Sequence, residues 1–424
     1  MGFSAKFRFN KAGQGCFYTG HLQYDSHHYF MVYDCGVEKP APQQFIKREV
    51  DKFVDTLKKS NDENLNMLVI SHFDTDHISH IKYLLDSIKS CDKLILPFVP
   101  LYFRYISLLK LVIEISEEGV DDIDPDLFQM IIDPYNYFSK NEKINNIIVI
   151  SNDDDDSEDT NQPSDINPEN PFDFRKSKSP YDTKNIPNEI GEEFINKIEF
   201  CPNRIKIFCG GLWEFFFHQK NDVPKTKVTK FLNEINKIFK LKGNERFNAK
   251  NKISIDGMRN YLKNLYGNTK KLKKIHDDFD LDINDYSLTL FHKSISSNDF
   301  DVLVQHYCHC PILSHDYFCT NMTGTYLTGD CDLHNINFPK YISDNLGTVV
   351  VFQVPHHGSK KNWEQTKINR LMECYNFVIN FGYGNRHKHP SSNVIEEIID
   401  EYRVMPILNT QFEDFEYKFV ELHY

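Results

Sequence analysis

Three observations on the sequence predict an α/β layered fold. The apolar run Met67-Leu68-Val69-Ile70 is followed by the polar stretch SHFDTDHISH (71–80) and by Ile78, Ile81, Leu84, Leu85 and Ile88 at helical spacing, which is the order strand, turn, helix. Four further apolar runs, SLTLFHKSI (287–295), TYLTGD (325–330), GTVVVFQVPHHGS (347–359) and NFVINFGYG (376–384), read as buried strands. With 424 residues, 40% hydrophobic and 14% aromatic, the chain can bury a large core as two or three domains or as one domain with insertions.

From the N-terminus, CFYTGHLQ and YFMVYDCG predict a hairpin around the polar turn YDSHH. Between Gln43 and Ser60 the apolar positions Phe45, Ile46, Val50, Phe53, Val54 and Leu57 keep a helical period, and the polar residues 61–64 end it. A strand over 67–71 follows. The stretch SNDDDDSEDT then places six acidic residues in the seven positions 153–159, and the chain onward to Asn188 is rich in Pro, Asn and Ser, so 151–190 is expected to be a disordered surface segment. IKIFCGGLWEFFFH (205–218) restarts the fold as a strand-like run, a basic helical region over 225–275 interrupts it, and NVIEEIIDEY (393–402) predicts a late helix. There is no internal repeat.

The longest apolar stretches, IIVI (147–150) and LWEFFF (212–217), are too short to cross a membrane, and MGFSAKFRFN lacks an apolar signal core. A soluble, cytoplasmic protein is expected, its ten cysteines thiols or metal ligands. The stretch HYCHCPILSHDYFC (306–319), with Cys308, Cys310, Cys319, His306, His309 and His315, has no standard zinc-finger spacing and reads as buried thiols near a turn. The net charge of −12 is unevenly spread: Lys225 to Lys274 carries 15 Lys or Arg against 3 Asp or Glu. Within it, VTKFLNEINKIFKLK places Val228, Phe231, Leu232, Ile235, Ile238 and Phe239 on one face, as a docked amphipathic helix with a solvated basic side would. The excess, extended by Lys270, Lys271, Lys273 and Lys274, exceeds what solubility needs and favours a polyanionic partner, nucleic acid above all.

The opening stretch supplies the chemistry. Alternate residues leaving a strand share a face, so His72, Asp74, Asp76 and His77 can converge on one point. Two carboxylates that close repel unless a cation lies between them, and divalent metals are the natural partner.

HFDTDH resembles the metal-binding motif of the metallo-β-lactamase fold superfamily, usually HxHxDH, with Asp74 standing where the second His normally sits. Together with LTGD (327–330), VPHHGS (354–359), GYGNRHKHP (382–390), AGQGCFY and MVYDCG, it is similar to the hydrolase domain of ComEC-like competence proteins over about half the chain, without their membrane channel. The resemblance implies an αββα sandwich whose N-terminal half is 1–100, then an insertion over 101–200, and a C-terminal half over 201–424 interrupted by the basic insertion 219–284. It makes His72 and Asp74 ligands of one metal, Asp76 and His77 ligands of a second, and Asp330 a bridge. His218 is a candidate to complete the first site. His356, His357 and His389 are candidates for the second, and Asp34 would order the ligands from behind.

Two divalent ions so held would lower the pKa of a bridging water, with Asp76 orienting the resulting hydroxide. A carboxylate at Asp74 shifts preference from zinc towards manganese or magnesium. Phosphate esters fit hard cations. The leaving oxygen would take its proton from His389 or from whichever of His356 and His357 is not a ligand; Asn385, Arg386 and Lys360 would hold phosphate, with Ser359 either a donor to substrate or a simple cap. A nuclease is the expected function, DNA favoured over RNA. The rivals are a hydrolase of small phosphodiesters such as cyclic nucleotides, or of lactones or thioesters, and a defence effector subunit regulated by a partner docking on 151–190.

Overall fold

The structure, a computed structural model, describes residues 2–38, 43–60, 63–117, 123–154, 165–181, 190, 192–220, 225–238, 240, 254, 256–257, 274, 286–295, 300–306, 316–320, 322–371 and 374–421. The first part of the chain forms β1 (Phe3–Phe9), β2 (Tyr18–Tyr24), β3 (His27–Tyr33), α1 (Gln43–Lys59), β4 (Asn64–Val69), α2 (Thr75–Ile78), α3 (Ile81–Ser87) and β5 (Ser90–Pro97). Next come α4 (Leu101–Glu117), α5 (Pro125–Ile132), α6 (Pro134–Ser139), β6 (Ile144–Asp154), β7 (Phe174–Lys176), β8 (Ile198–Asn203), β9 (Ile205–Cys209), β10 (Trp213–His218) and α7 (Lys225–Ile238). The last part gives β11 (Thr289–Ser294), β12 (Phe300–His306), β13 (Asp316–Thr320), β14 (Gly324–Leu327), α8 (Lys340–Asn345), β15 (Val349–Gln353), β16 (Asn376–Asn380), α9 (Ser392–Tyr402), β17 (Ile407–Asn409) and β18 (Phe415–Glu421).

Among the described residues these strands make two sheets, in the orders β13-β12-β18-β1-β2-β3-β4-β5-β6-β8 and β17-β16-β15-β14-β11-β10-β9-β7. Pairing is antiparallel from β12 to β3 and parallel from β3 to β8. Parallel neighbours need crossovers, and α1 supplies one between β3 and β4 while α2 and α3 supply the next. In the second sheet β14, β15, β16 and β17 are parallel.

The core lies in three layers of contact. Between the sheets, Phe7, Tyr18, Met31, Val69 and Ile148 of the first pack on Trp213, Phe215, Leu290, Leu327 and Val378 of the second. Val32, Leu68, Leu94, Val149 and Phe200 on the outer face of the first sheet bury α1 and α3 to α7. Phe216, Phe291, Tyr326, Phe352 and Phe377 on the outer face of the second bury α8 and α9. Helix, sheet, sheet, helix is thus the layer order, an α/β sandwich as expected.

Part of the expected 101–200 insertion belongs to this frame, because β6 pairs with β5 and β8 with β6 in the first sheet. The single strand-like run over 205–218 is a hairpin. It turns at Gly210 (φ 56), where a Cβ would meet the Pro171 carbonyl oxygen at 2.1 Å. Helix α7 docks as an amphipathic helix, with Val228, Phe231, Leu232 and Ile235 buried and Lys230 and Lys237 exposed. Lys274 is exposed; Lys270, Lys271 and Lys273, positions 155–164 and 182–189 of the acidic segment, and 307–315 of the Cys/His stretch lie outside the described residues. Cys16, Cys35, Cys91, Cys201, Cys209 and Cys374 are buried thiols. No helix among the described residues is long and apolar enough to cross a membrane.

Candidate metal centre

The centre forms where the carboxyl ends of β3, β4, β14 and β15 meet. Parallel strands end in a row, so their outgoing loops share one crevice. Asp34, directly after β3, is fully buried; its Oδ1 accepts the Ser71 N–H at 2.7 Å, and its Oδ2 accepts from Ser71 Oγ at 2.6 Å and from Nδ1 of His77 at 2.7 Å. Burial pushes the Asp34 carboxyl up, against the pull of His77 and Ser71. Two residues on, Gly36 is required by close approach: a Cβ there would lie 2.5 Å from the His77 nitrogen. The turn is stitched by Cys35 N–H to His77 O and His80 N–H to Cys35 O, both 2.9 Å.

Asp76, His77, Asp330 and His357 each offer one ligand atom, all within 4.8 Å of one another, and His72, Asp74 and Asp76 form a second such group. His77 Nε2 lies 3.2 Å from Asp330 Oδ1, His357 Nε2 3.0 Å from Asp76 Oδ2, and His72 Nε2 3.8 Å from Asp330 Oδ2. Asp330 follows Gly329, whose φ of 53 turns the chain off β14, and its N–H donates to Ser287 Oγ at 3.2 Å. His72 Nδ1 is engaged by Ser71 Oγ at 2.9 Å and Ser287 Oγ at 3.2 Å, which aims Nε2 at the cluster.

The two adjacent histidines diverge, as their neighbouring positions require. His356 and His357 have φ 46 and 55, a conformation costing each non-glycine residue on the order of 1 kcal/mol or more, and one that persists where surroundings over-determine it. His357 Nδ1–H donates to Asn380 O at 2.8 Å and its Nε2 enters the cluster; His356 Nδ1 meets Asn362 Oδ1 at 2.8 Å, leaving Nε2 3.7 Å from Asp330 Oδ2. His389 is in neither ligand group, and its ring centre is 5.6 Å from that of His356. Burial, then the charges of His356 and His357, hold His389 down to about 3.

Charges inside the centre compensate one another. Burial would push His77 down, but Asp34, Asp330 and Asp76 outweigh it and hold the ring well above its ordinary value. Burial would raise Asp330 and Asp76, yet His356, His77 and His357 pull Asp330 down, and His77 with the His357 hydrogen bond pulls Asp76 down. Asp74 is raised by burial despite the ammonium of Lys110, 2.6 Å from its Oδ2.

A divalent cation fits this donor set. The Nε2 atoms of His72 and His77 are buried and make no hydrogen bond, and the remaining donors are carboxylate oxygens and an imidazole nitrogen facing the same point.

Several expected residues are elsewhere. His218, at the end of β10, is buried and joins no ligand group; burial and Arg204 hold it down to about 3. Lys360 pairs with Glu397 of α9, and Arg386 donates from Nε and Nη2 to Glu38 Oε1 at 2.9 and 2.6 Å. Asn385 donates to the carbonyls of Gly382 (2.8 Å) and His389 (2.7 Å) and so braces its own loop. Ser359 is buried, and its N–H closes the histidine turn on His356 O at 2.9 Å. Sequence reasoning missed Ser287 and Lys110; the signal for Lys110 was a cation, one of two with Arg104, set in the apolar helix LYFRYISLLKLVIEISE. No family model and no curated protein matches the chain.

Proposed function

We propose that this chain is a metal-dependent phosphodiester hydrolase of metallo-β-lactamase type, a nuclease with DNA as the favoured polymer. The observation that carries the reading is the convergence of Asp76, His77, Asp330 and His357, from three separated stretches, on one buried point. Bound there, a hard divalent cation, manganese or magnesium before zinc, supplies charge neutralisation at phosphoryl oxygen and a water of lowered pKa. Asp34 fixes the ring of His77. Asp76 orients the attacking water through the carboxylate that His357 holds. His356, beside Asp330, gives the leaving oxygen its proton.

The cavity over the cluster is lined by Glu38, Asp74, Asp76 and Asp330 against the single lysine Lys110, so an anionic substrate depends on the cation to enter. The basic excess between Lys225 and Lys274, with Lys230, Lys237 and Lys274 exposed, supports attraction of a polyanion to the body of the protein.

A second reading, a hydrolase of small phosphodiesters, is favoured by the cavity itself. It is walled by Ser107, Lys110 and Leu111 of α4 and Ile131 of α5, side chains that a polymer would have to pass and a small diester need not. Incubation in manganese with plasmid, single-stranded DNA, RNA, a cyclic dinucleotide and bis(p-nitrophenyl) phosphate, with His72→Ala plus Asp76→Ala as control, separates the two. Polymer cleavage lost in the control supports the nuclease; turnover of the small diesters alone supports the second reading; turnover of none removes both.

A further inference from the structure

We infer that the ammonium group of Lys110 takes the place of a second cation on the His72–Asp74 side of the centre, so that the chain holds one divalent ion, at Asp76, His77, Asp330 and His357. This rests on the metal centre proposed above and narrows it. Lys110 Nζ lies 2.6 Å from Asp74 Oδ2, and the two form an ion pair in which Asp74 is buried and the lysine side chain is 33% exposed. The lysine reaches in from α4, where Leu108, Leu109 and Leu111 are buried around it. Arg104 of the same helix donates to Ile132 O at 2.7 Å, tying α4 to the end of α5 and fixing where Lys110 points.

The two ligand groups differ in what surrounds them. Among the described residues, Asp76 and Asp330 form ion pairs with histidines only. An imidazole nitrogen offers a lone pair to a cation, whereas an ammonium is a donor only and has no acceptor site. A divalent ion on Asp74 would share one carboxylate with that ammonium, at a separation where repulsion in a buried site is strong. Lys110 thus serves as a fixed charge that lines the cavity and faces the substrate's phosphoryl group beside the single ion.

The test counts ions on the full chain. Protein dialysed against excess manganese is assayed by plasma mass spectrometry and by titration calorimetry, as wild type, Lys110→Arg, Lys110→Met, Asp74→Asn and Asp330→Asn. The expected counts are one ion for wild type and Lys110→Arg, two for Lys110→Met, one with unchanged affinity for Asp74→Asn, and none for Asp330→Asn. Two ions on wild type, one on Lys110→Met, or loss of the ion in Asp74→Asn overturns the inference. Should Lys110→Met fail to fold, the wild-type count and Asp74→Asn still decide. Two ions with phosphodiester turnover intact would overturn the role of Lys110 alone, whereas no ion on wild type would remove the metal centre with it.

Discussion

The carboxylate of Asp34 lies 2.7 Å from Nδ1 of His77, and that contact decides which ring nitrogen faces the cluster. A proton held on Nδ1 leaves the Nε2 lone pair for a cation. Asp34→Asn removes the charge while keeping the shape. Divalent-ion affinity is expected to fall about 10–100-fold by calorimetry, as partners behind metal ligands typically give, with the fold retained by circular dichroism.

Gly36 has no space for a side chain, because a Cβ would sit 2.5 Å from the His77 nitrogen. Gly36→Ala should cost about 1–3 kcal/mol in denaturant unfolding, as overpacking does, and should weaken ion binding although every ligand is present.

Stability is expected to fall in acid through His292, buried between the sheets. Trp213 Nε1–H donates to its Nδ1 at 3.2 Å, so Nε2 carries the proton and donates to Tyr18 Oη at 2.8 Å. A second ring proton would face the tryptophan donor, and burial holds the pKa down from 6.5 to about 3. The unfolded chain takes up a proton that the folded chain refuses, so this contribution is whole above pH 6.5 and is lost as pH falls towards 3. Between pH 7.5 and 4.5, His292→Gln should reduce the loss of unfolding free energy by roughly 2–3 kcal/mol, both proteins being measured in chelator.

Lys360 is paired with Glu397 at the surface. Lys360→Ala is expected to change turnover less than about threefold and stability by less than about 1 kcal/mol, as exposed pairs do. A loss of turnover of 100-fold would return Lys360 to the substrate.

Asp34, Asp74 and Asp330, buried, and Asp76, partly buried, bring four carboxylates to one place. Manganese at 100 times its dissociation constant should stabilise the fold by about 2.7 kcal/mol, raising Tm by several degrees in a thermal melt. Chelator should reverse the rise, and Asp330→Asn should abolish it.

The centre was legible because each of its pieces is a dense polar stretch at the end of an apolar run: HFDTDH after Met67–Ile70, TGD after β14, HHG after β15. Strands β1 and β18 carry an equally plain signal, the alternations FSAKFRF and FEYKFVE, and burial follows it residue by residue. What the sequence could not rank was pairing across distance. Lys360 and Arg386 stand beside site motifs and look poised for phosphate, but acids 37 and 348 positions away hold them. Lys110 has the opposite history, reaching Asp74 from 36 positions on, inside what looked like an insertion. Strand β6 was hidden because its apolar core is four residues long and an acidic run follows it.

Strand β18 is paired on both sides, with β1 and with β12. On the ribosome, β1 therefore waits with an unmatched edge until residues 415–421 emerge. A nonsense codon just before them would tear a seam rather than trim a tail, leaving two open strand edges prone to joining other chains.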